Sequence, residues 1–224
     1  DGNQNAVGGA VSIVPGWNGF ETESQKEHPV IFDQCYFENN KARSDYSDGT
    51  TGSAIQAHAN IMIINSVFVN NILEKPNGIS NQGWQSVVDL QPQYILDTSA
   101  QNWERASGRA VLINNTFHGN AAPKQISMMG SDMNKAIFGF YNNIIGYEKD
   151  YAAVMFHGSN VPIEVFRGSN LFSQSEDQYL DGASLILTVD ADDYTGDPKY
   201  KGELVKNFQL KPNSPAIDEG IQSW

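Results

Sequence analysis

Carboxylates, tryptophans and a few basic residues are the side chains in this sequence that could do chemistry. Asp192 and Asp193 are adjacent within Asp190-Ala191-Asp192-Asp193-Tyr194. Glycoside hydrolysis uses a pair of carboxyls, one as acid and one as base or nucleophile. Cleavage of a uronate polymer by elimination asks instead for a base near the sugar C5 and a cation to neutralise the carboxylate. The arginines are Arg43, Arg105, Arg109 and Arg167. Arg109 and Arg167 lie in or beside strand-like segments and could project outward onto a groove, where Lys135 and His118 could neighbour them. These four are the candidate catalytic residues for a lyase; as ordinary surface residues they would simply be solvated or stacked on aromatics.

Acidic loops suggest a metal. Asp45-Tyr46-Ser47-Asp48-Gly49 and Asp190-Ala191-Asp192-Asp193 each crowd carboxylates, and Ca²⁺ takes roughly 6–8 oxygen ligands. Neither segment completes an EF-hand. The expectation is no cofactor, or structural Ca²⁺ at Asp45, Asp48, Asp190, Asp192 and Asp193. The histidines, His28, His58, His118 and His157, show no paired spacing for a transition metal. Cys35, beside Tyr36 and Phe37, is expected to be a packed, inert thiol.

Trp17, Trp84 and Trp103 sit in polar surroundings: Pro15-Gly16-Trp17-Asn18-Gly19, Asn81-Gln82-Gly83-Trp84-Gln85 and Gln101-Asn102-Trp103-Glu104-Arg105. Loop aromatics flanked by amides and charges suit a sugar, whose apolar face stacks on the ring while its hydroxyls take the polar groups. Trp17, Trp84, Trp103 and Arg105 are therefore the candidate ligand-binding residues. The same rings would serve a protein interface, or would pin each loop to the body of the protein.

Charge narrows the partners. With 26 acidic and 14 basic residues the formal net charge is -12. Such a chain is repelled by phosphate backbones, and no basic cluster overrides this, so nucleic acid is excluded as an expected partner. No apolar run approaches the ~20 residues of a membrane-spanning helix. The start, Asp1-Gly2-Asn3-Gln4, lacks the character of a secretory leader; a mature form and a piece of a longer chain are both open.

The elements that must position these residues are repeated. Val30-Ile31-Phe32-Asp33-Gln34-Cys35-Tyr36-Phe37-Glu38-Asn39-Asn40 aligns with Ile61 to Asn71 and with Ala110 to Asn120, and more weakly with Ala136 to Gly146 and Ile163 to Phe172. Each copy is a short β-branched strand, an Asn-rich turn, an apolar pair and another turn. The alignment superposes Phe37, Phe68, Phe117, Ile145 and Phe172. The longest step, from Phe68 to Phe117, holds either an insertion or a degenerate repeat around Val87-Val88-Asp89-Leu90.

Short strands recurring every ~20–30 residues indicate a solenoid. Asn at the turns tolerates left-handed backbone, and stacked Asn side chains can bond along the axis as a ladder. A β-sandwich or propeller would place hairpin signals between matched strands, which Asn18-Gly19 and Asn77-Gly78 do not do. The polar stretches 15–28, 42–52 and 73–107 are read as insertions, and loops of that length are usually functional. One all-β solenoid domain spanning 1–224 is expected.

Gly8-Gly9-Ala10-Val11, Phe37-Glu38-Asn39-Asn40-Lys41-Ala42 and Gly52-Ser53-Ala54-Ile55 resemble the right-handed parallel β-helix (pectate-lyase-like) repeats of bacterial surface proteins. Asp197-Pro198-Lys199-Tyr200, Asn207-Phe208-Gln209-Leu210 and Ser214-Pro215-Ala216-Ile217-Asp218-Glu219-Gly220 are similar to the terminal signature of choice-of-anchor Q proteins. The resemblance implies a secreted or bacterial cell-surface location, with about 175–224 closing the open end of the solenoid. It does not extend to the hydrolase set of this fold: His157-Gly158-Ser159 precedes Asp192-Asp193, and neither Asn-Thr-Asp nor Arg-Ile-Lys occurs. Fold alone does not fix activity. The expected function is non-catalytic binding of a polysaccharide or a surface protein through the insertions; a lyase and a passive subunit of a larger surface assembly are the alternatives.

Overall fold

In the computed structural model the described residues are 9–13, 29–43, 51–74, 85–91, 93–95, 105–130, 136–147, 152–157, 162–175, 179–182, 185–202 and 207–217. Among them there are strands and turns and no helix, so no helix is long and apolar enough to cross a membrane.

Three six-stranded parallel sheets account for most of these strands. Sheet A contains Val11–Ile13, Thr51–Ala57, Gln85–Leu90, Lys124–Met129, Ala152–His157 and Tyr179–Gly182. Sheet B contains Val30–Asp33, Ile61–Ile64, Arg109–Ile113, Ile137–Tyr141, Ile163–Gly168 and Leu185–Val189. Sheet C contains Tyr36–Glu38, Val67–Val69, Thr116–His118, Ile144–Ile145, Leu171–Phe172 and Tyr194–Thr195. The chain visits A, then B, then C, and repeats, so each pass, here called a rung, adds one strand to every sheet. This arrangement is consistent with a parallel β-helix.

The register is the one the repeats predict. Phe37 pairs with Phe68, Phe68 with Phe117, Phe117 with Ile145, and Ile145 with Phe172. Phe37, Phe68 and Phe117 stack with centroids 4.8 and 4.6 Å apart. Alternate residues of sheet B, such as Ile63, Leu112, Phe138 and Val165, fill the same core, as expected for period-2 strands with one buried face.

The corners between B and C are tight. Gln34, Asn65, Asn114, Asn142 and Ser169 occupy equivalent positions with φ between 52 and 57°, a left-handed conformation that Asn tolerates. The next residue points inward and stacks. Ser66 N donates to Asn115 Oδ1; Asn115 N and Nδ2 donate to Asn143 Oδ1, Asn143 to Asn170 Oδ1, and Asn170 to Asp193 Oδ1, all at 2.9–3.0 Å. Each Nδ2 also reaches a backbone carbonyl, for example Asn143 to Leu112 O at 3.0 Å. A second ladder, Asn40–Asn71–Asn120, follows sheet C. These ladders satisfy turn backbone that is otherwise buried.

The structure decides between the two readings of the long step. The long step holds no additional rung: Gln85–Leu90 is the sheet A strand of the third rung, and an antiparallel pair, Gln93–Ile95 with Arg105–Ser107, follows before sheet B resumes. The stretches 42–52 and 73–107 are therefore partly strand. The sixth rung occupies Tyr179–Thr195, and a C-terminal segment follows it. Its hairpin, Tyr200–Gly202 with Asn207–Leu210, folds back against His118 of the third rung. Leu187 and Val189, in line with buried Val165 and with Arg167, stay 48% and 46% exposed. The hairpin meets the body of the protein through a three-ring contact outside sheet C.

Candidate functional site

Of the candidate catalytic residues the structure describes Arg109, Arg167 and His118. Arg109 lies exposed on the outer face of sheet B, its backbone N–H donating to Asn60 Oδ1 at 2.7 Å. Arg167 does not project outward. It shares its side of the strand with Ile163 and Val165 and is in register with buried Phe140, and its guanidinium pairs with Asp193. The reason is local: Asp193 ends the Asn ladder, using Oδ1 to accept Asn170, and its remaining negative charge needs a partner. His118 is on the outer face of sheet C. Lys135, Trp17, Trp84, Trp103, Asp45 and Asp48 lie outside the described residues. Arg105 pairs through its backbone with Ile95.

The acidic loop at Asp190 is structural where it is described. Tyr141 donates to Asp190 Oδ2 at 2.5 Å; burial and this carboxylate hold the phenol well above its ordinary pKa. The Asp192 carbonyl accepts Ser169 N, and Asp193 is the last rung of the ladder. Among the described residues no three His, Cys, Asp or Glu side chains converge as a metal site.

A different cluster lies on sheet A. Ile55, Val88, Ile126 and Val154 face the core, so their neighbours Gln56, Asp89, Ser127 and Met155, which are in mutual register, face away from it. The Gln85–Leu90 strand is nevertheless buried at every residue, and Asp89 is fully buried. His58, which follows the Thr51–Ala57 strand, and Gln91 extend this face; Gln91 N donates to Ala57 O.

Burial dominates the electrostatics. It raises the Asp89 carboxyl from an ordinary 3.8 to about 7; nearby Gln91, Ser127 and Gln56, and the positive charge of Lys124, offset only part of that rise. Gln91 Nε2 donates to Asp89 Oδ2 at 3.4 Å. Burial also lowers the pKa of His58, which keeps its imidazole neutral. Asp89 Oδ1, Gln85 Oε1, Gln125 Nε2 and His58 Nε2 are buried and complete no hydrogen bond, and the same holds for Ser53 Oγ and Ser86 Oγ in this sheet, while the Ser127 hydroxyl lies against the Asp89 carboxyl. Each unsatisfied buried group costs about 1–3 kcal/mol, so such a concentration marks a functional surface better than a structural one.

This face carries acceptors, Asp89 and Gln85, a donor in Gln125 Nε2, whose own carbonyl accepts from Asn120 Nδ2 at 3.2 Å, and one carboxyl able to gain or lose a proton near neutral pH. The sequence reading missed it because its members come from three separate rungs. One signal was available: in Val88-Asp89-Leu90-Gln91 polar residues alternate with apolar ones where both faces prove to be buried. Comparison with known proteins adds no family: no family model, no curated protein and no solved structure matches the chain.

Proposed function

We propose that the chain is a right-handed parallel β-helix module of the kind its repeats resemble, secreted or displayed at a bacterial surface, and that it binds a glycan at the outward face of sheet A without cleaving it. The observation that carries this reading is the set of buried polar side chains along sheet A, Asp89, Gln85 and Gln125 among them, that each keep an atom without a hydrogen-bond partner. A polyhydroxylated ligand offers both donors and acceptors to such a set. The chain order supports it. Trp17 falls between the A and B strands of the first rung, Trp84 directly before the A strand of the third, and Trp103 between the A and B strands of that same rung. Every insertion carrying a candidate tryptophan therefore joins an end of a sheet A strand. The net charge of -12 favours a neutral glycan over a polyanion.

Isothermal titration against neutral and uronate oligosaccharides tests the reading. Heat is expected with a neutral glycan, and Asp89→Ala should weaken binding about ten-fold or more while leaving the β-sheet circular dichroism unchanged. No heat from any glycan contradicts it.

The raised Asp89 pKa favours one second reading, a polysaccharide lyase with Asp89 as its general base. Ultraviolet absorbance of an unsaturated uronate product, present with the native chain and lost in Asp89→Asn, would replace non-catalytic binding with this activity.

A further inference from the structure

A second, separate cavity lies on the outside of sheet C. It is a groove of about 360 Å³ between that sheet and the C-terminal hairpin, lined by His118, Gly146, Tyr147, Ser173, Asp197 and Tyr200 among others. These residues come from the third, fourth and fifth rungs and from the segment after the sixth, so the groove exists only because the hairpin folds back.

Its parts are held in place. Tyr147 N donates to Ser173 Oγ at 3.1 Å, and the Tyr147 hydroxyl donates to Gln174 O at 3.0 Å. The His118 ring meets Tyr200 edge-on at 5.5 Å and Phe208 at 5.3 Å, while Tyr200 and Phe208 meet at 89° and 5.2 Å. Asp197 Oδ1 accepts Lys199 N at 2.8 Å, which fixes the carboxylate and leaves Oδ2 for another donor. At position 146 a Cβ would stand 3.0 Å from Phe117 O and 3.9 Å from His118 Nδ1. Glycine thus keeps the wall beside the imidazole bare. Tyr147 and Tyr200 are 7% and 4% exposed, whereas Asp197 is exposed. The result is aromatic depth under a polar rim.

We propose that this groove binds one neutral hexopyranose ring of a glycan. The volume suits a single sugar at the small end of ligand sites. Tyrosine rings take the apolar face of the sugar, and Asp197 and His118 take its hydroxyls, while Ser173, which accepts from Tyr147 N and donates to Tyr147 O, holds the wall. The carboxylate at the rim, on a chain of net charge -12, repels uronates and phosphates. This site does not rest on the sheet A reading and shares no residue with it.

The test follows the His118 imidazole resonances of the full chain by NMR, assigned with His118→Gln, during titration with methyl glucopyranoside, methyl galactopyranoside, methyl mannopyranoside and glucuronate. Saturable shifts with at least one neutral glycoside and none with glucuronate are expected. Asp197→Asn should weaken that binding about five-fold, and Asp89→Ala should leave it unchanged. No shift with any neutral sugar overturns the proposal, as do equal shifts with glucuronate or shifts lost in Asp89→Ala. Loss of glycan binding at sheet A alone leaves the His118 response intact, which keeps the two sites distinguishable.

Discussion

The corner between sheets B and C and the outer face of sheet A are built from the same rungs, and they handle buried polar groups in opposite ways. At the corner Asn115, Asn143 and Asn170 are each buried, and each side chain accepts from the rung before and donates to a backbone carbonyl. On sheet A, Asp89, Gln85 and Gln125 are equally buried, yet each keeps an atom without a partner. Saturated polar groups specify the stack. Unsaturated ones raise the energy of the unliganded chain and lower it again when a ligand completes them. The comparison divides the molecule into a saturated scaffold side and the side proposed to bind glycan.

The largest break in that contrast is on the scaffold. Asn143→Ala removes the acceptor for Asn115 N and Nδ2 and the donor to Leu112 O. A loss of about 3 kcal/mol in urea unfolding is expected, since several buried groups are orphaned at once.

Asp89→Asn should do the reverse in a pH-dependent way. The folded carboxyl titrates about 7, above its ordinary 3.8. Between these values the folded state holds a proton that the unfolded state has released, so stability falls as pH rises from about 4 to about 7 and levels off above. The substitution removes that slope. The variant should therefore be more stable than the native chain at pH 8, on the order of 1–3 kcal/mol, with little advantage at pH 4. Urea midpoints at the two pH values measure it.

The smallest effect belongs to the surface. Lys41 and Glu74 form an ion pair at 3.4 Å with side chains 61% and 51% exposed. Lys41→Ala should change stability by less than about 0.5 kcal/mol, which calibrates the scaffold values against an exposed contact.

The two regions also differed in how far the sequence revealed them. The stack was legible because one rung repeats the next: Phe37, Phe68 and Phe117 recur with the same Asn neighbours, and the stacking that follows needs no other information. Arg167 was misread although its parity with Ile163 and Val165 already placed it inward; a charged residue at an apolar position becomes intelligible only when Asp193 is seen at the end of the ladder. Asp89 was not legible as a site, because its raised pKa comes from burial and its neighbours Gln56 and Ser127 arrive from adjacent rungs. Sheet A carries its insertions at the ends of its strands, so nothing local to Asp89 announces that its outward face is covered.

The most direct measurement is the pH titration of the Asp89 carboxyl carbon by NMR, without a ligand and then with the neutral glycan that gives the largest calorimetric signal. A carboxyl titrating near 7 in the free chain, and shifted when the glycan binds, is the expected result. An Asp89 that titrates with the ordinary carboxylates and ignores every glycan would contradict the assignment of sheet A as the binding face.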